Sequence, residues 1–202
     1  MSDYRKHRSR RFIALTAILL ASTPIALLGN LQSSRVDLAA APKADPQPTG
    51  TNSKSVDWER VGDTSSPIFG IKIPEGYRQW ELISVASNPQ KDELKSIFGD
   101  KLAMKAYRDG TLPFPDGSTL VKLTWKREPL DGFEGAFVPG STTMVQVMVK
   151  DAKKFATTGG WGFGRFIDGK PADEAQHKSC FGCHSKNSSV REHDFVFTHL
   201  AP

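Results

Sequence analysis

The chain has 202 residues, of which 38% are hydrophobic and 24% charged, enough for one ordinary folded domain, too polar for a multispanning membrane protein and too apolar for a fully disordered one. Its net charge is +5, but residues 1–50 hold seven basic side chains and three acidic ones, leaving +1 for the rest. The electrostatic footprint of a nucleic-acid binder is therefore missing from the remainder of the chain. The two cysteines, Cys180 and Cys183, stand too close together to staple a fold.

Taken in chain order, Arg5, Lys6, Arg8, Arg10 and Arg11 precede the apolar run Phe12 to Leu28, the order of an export signal. The Arg10-Arg11 pair fits the twin-arginine pattern only loosely, so the ordinary secretory route is expected. Ala39, Ala40 and Ala41 offer small residues for cleavage, although Pro42 disfavours cutting after Ala41. An uncleaved inner-membrane anchor is the alternative, and both readings place the rest of the chain in the periplasm. Residues 1–41 are assigned to this leader and 42–67, rich in Pro, Ala, Ser, Thr and Gly, to a flexible linker in which only Val56, Trp58 and Val61 could pack. No internal repeat is visible, which leaves one functional domain at 68–202.

Within that domain, alternation predicts a strand over Gln79 to Ala86. Asn88-Pro89 then reads as a helix start, with Leu94, Ile97 and Phe98 on one face, and Leu102, Ala103, Ala106 and Tyr107 continue the helical period to Gly110. After the turn Leu112 to Gly117, a strand over Ser118 to Lys126 sets Val121, Leu123 and Trp125 against Lys122, Thr124 and Lys126. Thr142 to Val149 is a second alternating strand, with Met144, Gln146 and Met148 on one face. Asp151 caps a short helix that Gly159-Gly160 ends, Trp161 to Ile167 is a third strand, and Pro171 opens a last helix. The predicted fold class is α+β, a mostly antiparallel sheet with a few flanking helices.

That last helix carries Cys180-Phe181-Gly182-Cys183-His184, the C-x-x-C-H attachment signal of a c-type haem. On a helical turn the three positions fall at i, i+3 and i+4, so both thiols reach the vinyl groups while the imidazole points at the iron. Cys180 and Cys183 are the expected thioether links and His184 the proximal iron ligand. Three rival readings exist. A thioredoxin-like redox pair has no need of His184, a simple disulfide is open to any neighbouring thiols, and a zinc site would recruit His193 and His199 in a C-x₂-C-x₉-H-x₅-H spacing. Only 18 residues follow His184, and no methionine follows Met148. A sixth ligand must come from upstream, with Met144 and Met148 as candidates, or be missing. An open iron position is expected, which favours binding or transforming a small ligand over pure electron carriage. Phe163, Phe166 and Phe181 are candidates to pack on the porphyrin, and His177 reads as structural or exposed.

Several strings stand in order along the domain. They are Ile73-Pro-Glu-Gly-Tyr77-Arg-Gln-Trp80, Phe114-Pro-Asp-Gly117, Val149-Lys-Asp151 with Lys154-Phe-Ala156, Gly160-Trp-Gly-Phe163, the cysteine motif, and Asp194-Phe-Val-Phe-Thr198. In this order the chain resembles the cytochrome P-460 proteins and the related cytochromes c′-beta, over nearly all of Ile73 to Pro202. The resemblance implies a homodimeric, mostly β protein that encloses one covalent c-type haem with an open distal side. Oxidation of hydroxylamine and binding of nitric oxide are the implied activities, with a small diatomic or N-oxide ligand and a periplasmic redox partner. It also implies a lysine bonded to the haem edge, for which the matching position is Lys122, six residues after Asp116. The distal carboxylate of hydroxylamine-oxidising members corresponds to Gln146, an amide that cannot act as a general base near pH 7. Nitric oxide binding is therefore the expected function; hydroxylamine oxidation with a Lys122–haem link, and electron transfer with a methionine sixth ligand, are the alternatives.

Overall fold

The computed structural model describes Val56, Trp58 and residues 64–202. The leader over 1–41 and most of the 42–67 linker lie outside these residues. Val56 and Trp58 pack against the core, Trp58 almost fully buried.

Strand β1 (Glu81–Asn88) is joined to β2 (Glu93–Gly99) by a single 3-10 turn at Pro89–Lys91. This corrects the helix expected after Asn88. Leu94, Ile97 and Phe98 satisfy helical spacing, but Asp92 adopts a left-handed backbone (φ 54°) that reverses the chain, and β2 then finds hydrogen-bonding partners on both sides. Only the second half of the expected helix forms, as α1 (Lys101–Asp109). Asp100 caps it by accepting the Ala103 N–H at 2.7 Å, Gly110 ends it in the left-handed region, and it buries Ala103, Met104 and Ala106.

The expected strands are all present: β3 (Thr119–Pro129), β4 (Phe137–Lys150) and β5 (Trp161–Ile167). Asp151 does not start a helix; its carboxylate accepts the Lys154 N–H at 2.8 Å in a turn, and a 3-10 turn at Ala156–Thr158 follows. Pro171 does not open the last helix either. It ends the two-residue β6 (Lys170–Pro171), paired with Phe166, and Asp173 caps α2 (Glu174–His184) by accepting the Gln176 N–H at 2.8 Å. A short α3 (Ser188–Glu192), not expected from the sequence, precedes the C-terminal segment.

The six strands form one antiparallel meander in the order β1-β2-β3-β4-β5-β6. With three helices beside it among the described residues, the architecture is the expected α+β. Register decides what each face does. Val121 pairs with Val147 and Leu123 with Val145, and all four are fully buried. One residue along each strand, Ile97, Lys122, Gln146 and Arg165 stand opposite one another in a single row on the other face.

Candidate functional site

Helix α2 lies over the second face, and what fixes it there is His177. This side chain is fully buried; its Nε2 accepts the Arg165 backbone N–H at 3.0 Å, so its proton sits on Nδ1, which donates to the Asp173 carbonyl at 2.8 Å. The imidazole thus completes hydrogen bonding at β5 where β6 is only two residues long, and the structural reading of His177 holds. One and two turns further on, α2 presents Cys180, Cys183 and His184.

Between α2, the sheet and the C-terminal segment is a cavity of about 460 Å³. Its walls include both cysteines, His184, Lys122, Gln146 and Met148. Phe163, Arg165, Lys95 and Phe197 complete much of the lining, and none of the described residues on it is Asp or Glu. Residues expected to act together are therefore brought together. Lys122 and Gln146 are cross-strand neighbours. Met148 reaches the wall, whereas Met144 is not part of it. Among the three aromatics, Phe163 lines the cavity, Phe166 is buried elsewhere, and Phe181 packs on Phe195 with ring centroids 5.3 Å apart.

Both thiols are free; Cys180 is half-buried and Cys183 exposed. Burial pushes the Cys180 thiol above its usual range, against the pull of Arg165 and Lys122. His184 is held by a 2.7 Å bond between Nδ1 and the Phe195 carbonyl. A carbonyl only accepts, so Nδ1 carries the proton and Nε2 keeps its lone pair. Burial lowers the His184 pKa, the Phe195 bond opposes this, and the Lys122 charge adds to the lowering. The ring sits between Phe163 and Phe197, with centroids at 5.1 and 4.7 Å.

Alternation assigns Lys122, Thr124 and Lys126 to one side of β3, and that side is no simple solvent face. Thr124 is fully buried, and burial pushes the Lys122 ammonium down to about 8, with the Lys95 charge adding to the effect and Glu93 opposing it. Lys95 is itself paired with Glu93 at 2.9 Å. The Gln146 carbonyl, Oε1, is buried with no hydrogen-bond partner, as is the Arg165 Nε. Such orphaned groups cost stability unless something fills the space beside them. No group of three or more His, Cys, Asp or Glu side chains converges among the described residues, so the cysteines, His193 and His199 are not gathered as zinc ligands.

A family model described as Cytochrome P460 matches residues 74–198, more than half of the chain. The chain belongs to the cytochrome P460 family. Membership makes it a haem c protein and agrees with the resemblance carried by the motifs. No curated protein matches it. The residues present fit the cofactor. A helix face carries two free thiols and an imidazole of fixed tautomer, the walls are largely apolar, Phe197 is 47% exposed beside the cavity, and Gln146 on its wall has a buried Oε1 without a hydrogen-bond partner.

Sequence reasoning missed Lys95, Arg165 and Phe197 in the lining, and the buried Lys150–Asp194 pair behind it. Arg165 had a readable signal, since it stands two residues after Phe163 on the same face of the expected strand Trp161 to Ile167; Lys95 had none, because helical spacing hides the strand on which it lies. The Lys150–Asp194 pair had none, because its members are 44 residues apart.

Proposed function

We propose that this chain is an exported, periplasmic mono-haem cytochrome that binds small nitrogen oxides, nitric oxide foremost, at an open distal position. Cys180 and Cys183 would form the thioether links and His184 would supply the proximal ligand through Nε2. The haem iron supplies the binding centre and the redox chemistry; the chain's own residues set what approaches it. The basic, then apolar, leader supports export, and the family's dimers support a homodimer.

The observation that carries this reading is the absence of Asp and Glu from the described cavity lining, with Gln146 among the residues on it. Oxidising hydroxylamine requires a group that takes protons from the ligand nitrogen, and a positioned base contributes about 10²–10⁴-fold to such a step. An amide holds a ligand through its C=O or, after a flip, its N–H, and takes no proton. The native protein is expected to bind nitric oxide and to turn over hydroxylamine slowly or not at all, while Gln146→Glu raises the rate. Steady-state oxidation with an artificial electron acceptor, at matched haem content, checks this. Fast turnover by the native protein would overturn it.

One observation favours a second reading, hydroxylamine oxidation with a haem-linked lysine. Lys122 faces the cavity, and a lowered pKa makes its amine a better nucleophile than a surface lysine. A tryptic haem peptide that includes Lys122 would support it. Recovery of Lys122 unmodified, beside a haem peptide spanning only Cys180 to His184, would exclude the link.

A further inference from the structure

Behind His184 the chain makes an arrangement that the haem motif does not require. Asp194 and Phe195 both adopt left-handed backbone, with φ of 51° and 64°. Neither is glycine, and an aromatic residue in that region costs stability unless its surroundings over-determine it. The surroundings do so at five points. The Asp194 carboxylate takes Lys150 Nζ on both oxygens, at 2.7 and 2.8 Å, and the Phe114 N–H at 2.9 Å. The Asp194 carbonyl accepts the Trp161 indole N–H at 2.7 Å. Lys150 gives a further bond to the Gly159 carbonyl at 3.1 Å. The Phe195 ring occupies the space where a Gly159 side chain would start, 2.4 Å from the position of a Cβ.

Lys150 and Asp194 are only 4% and 8% exposed. A buried ion pair seldom stabilises a fold more than apolar residues of the same shape would, so its value lies in the geometry it enforces. Here the enforced geometry ends at one atom. The carbonyl of Phe195, the second left-handed residue, receives the His184 Nδ1 proton at 2.7 Å. Turning either residue back to ordinary backbone would swing that carbonyl away.

We propose that the Lys150–Asp194 ion pair positions the proximal histidine: it fixes Asp194 and Phe195 in left-handed backbone, aims the Phe195 carbonyl at His184 Nδ1, and thereby sets the ring's orientation and its donor strength toward the iron. The inference rests on the reading of His184 as the iron ligand. An acceptor on Nδ1 raises the basicity of the other nitrogen, so weakening it makes the imidazole a poorer donor.

The double substitution Lys150→Met with Asp194→Asn removes both charges together and leaves no lone buried ion, while Asn keeps an acceptor for the Phe114 N–H. The test is the iron–imidazole stretching band of the ferrous haem-loaded full chain, together with its midpoint potential. The native protein is expected to show the band. The double variant should show it shifted to lower frequency and broadened, with a more positive potential. A native protein with no such band lacks a five-coordinate iron on His184, which defeats the proposed function and the inference that rests on it. A native band that stays in place in a folded double variant, with an unchanged potential, overturns the positioning role alone. Trp161→Phe, which removes the indole donor to the Asp194 carbonyl together with part of the buried ring beside Lys150, gives the same decision should the double variant not fold: a smaller shift in the same direction supports the role, and no shift overturns it.

Discussion

At Lys122 and Gln146 two polar residues meet across β3 and β4 in a space too dry to suit either. The lysine gives a pH prediction whose sign follows from linkage. The folded chain holds the neutral amine from about 8 upward, whereas an unfolded lysine stays protonated to about 10.5. Between those values the unfolded state binds more protons, so stability rises with pH across that window and the cost of Lys122 is fully present below about 8. Lys122→Met, melted beside the native chain before haem loading, should be the more stable of the two at pH 7 and lose that advantage between about 8 and 10.5. A constant difference over that range would mean that Lys122 titrates as a surface lysine. Both positions were reached in the sequence through the family resemblance, Lys122 by its distance from the Asp116-Gly117 turn and Gln146 by the place of the distal carboxylate. Alternation separates the two faces of a strand but does not reveal what covers each one. That is why the polar side of β3 reads equally well as a solvent face or a cavity wall.

The element that matters most is α2, because the cavity exists only where that helix stands off the sheet. Its anchoring differs from ordinary helix packing: His177, rather than an apolar stripe, ties it to β5. His177→Ala should leave the Arg165 N–H unpaired beside a new void, at a cost of about 2–4 kcal/mol. Denaturant unfolding measures this, and the yield of haem-loaded protein should fall with it. An unchanged midpoint would show that helix and sheet are held together elsewhere. Asp173→Ala should lower the unfolding midpoint through loss of the N-cap, with the site's spectrum retained. The helix itself was legible, and its start moved from Pro171 to Glu174 because β6 pairs Pro171 with Phe166 first. The hairpin of β1 and β2 was not legible as such. Leu94, Ile97 and Phe98 satisfy a helical period and a strand equally, and the choice belongs to the β3 strand beside them, a tertiary effect outside any local window.

For the whole molecule, one antiparallel meander buries Val121, Leu123, Val145 and Val147 on one side and offers a cavity on the other. The C-terminal segment is tied to β1 and α1: Ala201 N–H donates to the Ile83 carbonyl at 2.8 Å, and the Tyr107 hydroxyl donates to the Thr198 carbonyl at 3.1 Å. Burial raises the Tyr107 pKa, so the hydroxyl stays a donor well into the alkaline range. The attachment motif was legible because its chemistry is local, five consecutive residues on one helical turn. The support behind it was not, since Lys150, Asp194 and Phe195 meet through strand register and two left-handed residues that no short motif announces.

The central claim is that Cys180, Cys183 and His184 hold a covalent haem in this cavity. Its most direct test is the mass of the polypeptide after acid–organic extraction of protein matured with the haem-attachment machinery. Retention of one haem, carried on the peptide that contains Cys180 and Cys183, is the predicted result. A colourless polypeptide with both thiols free would contradict the account.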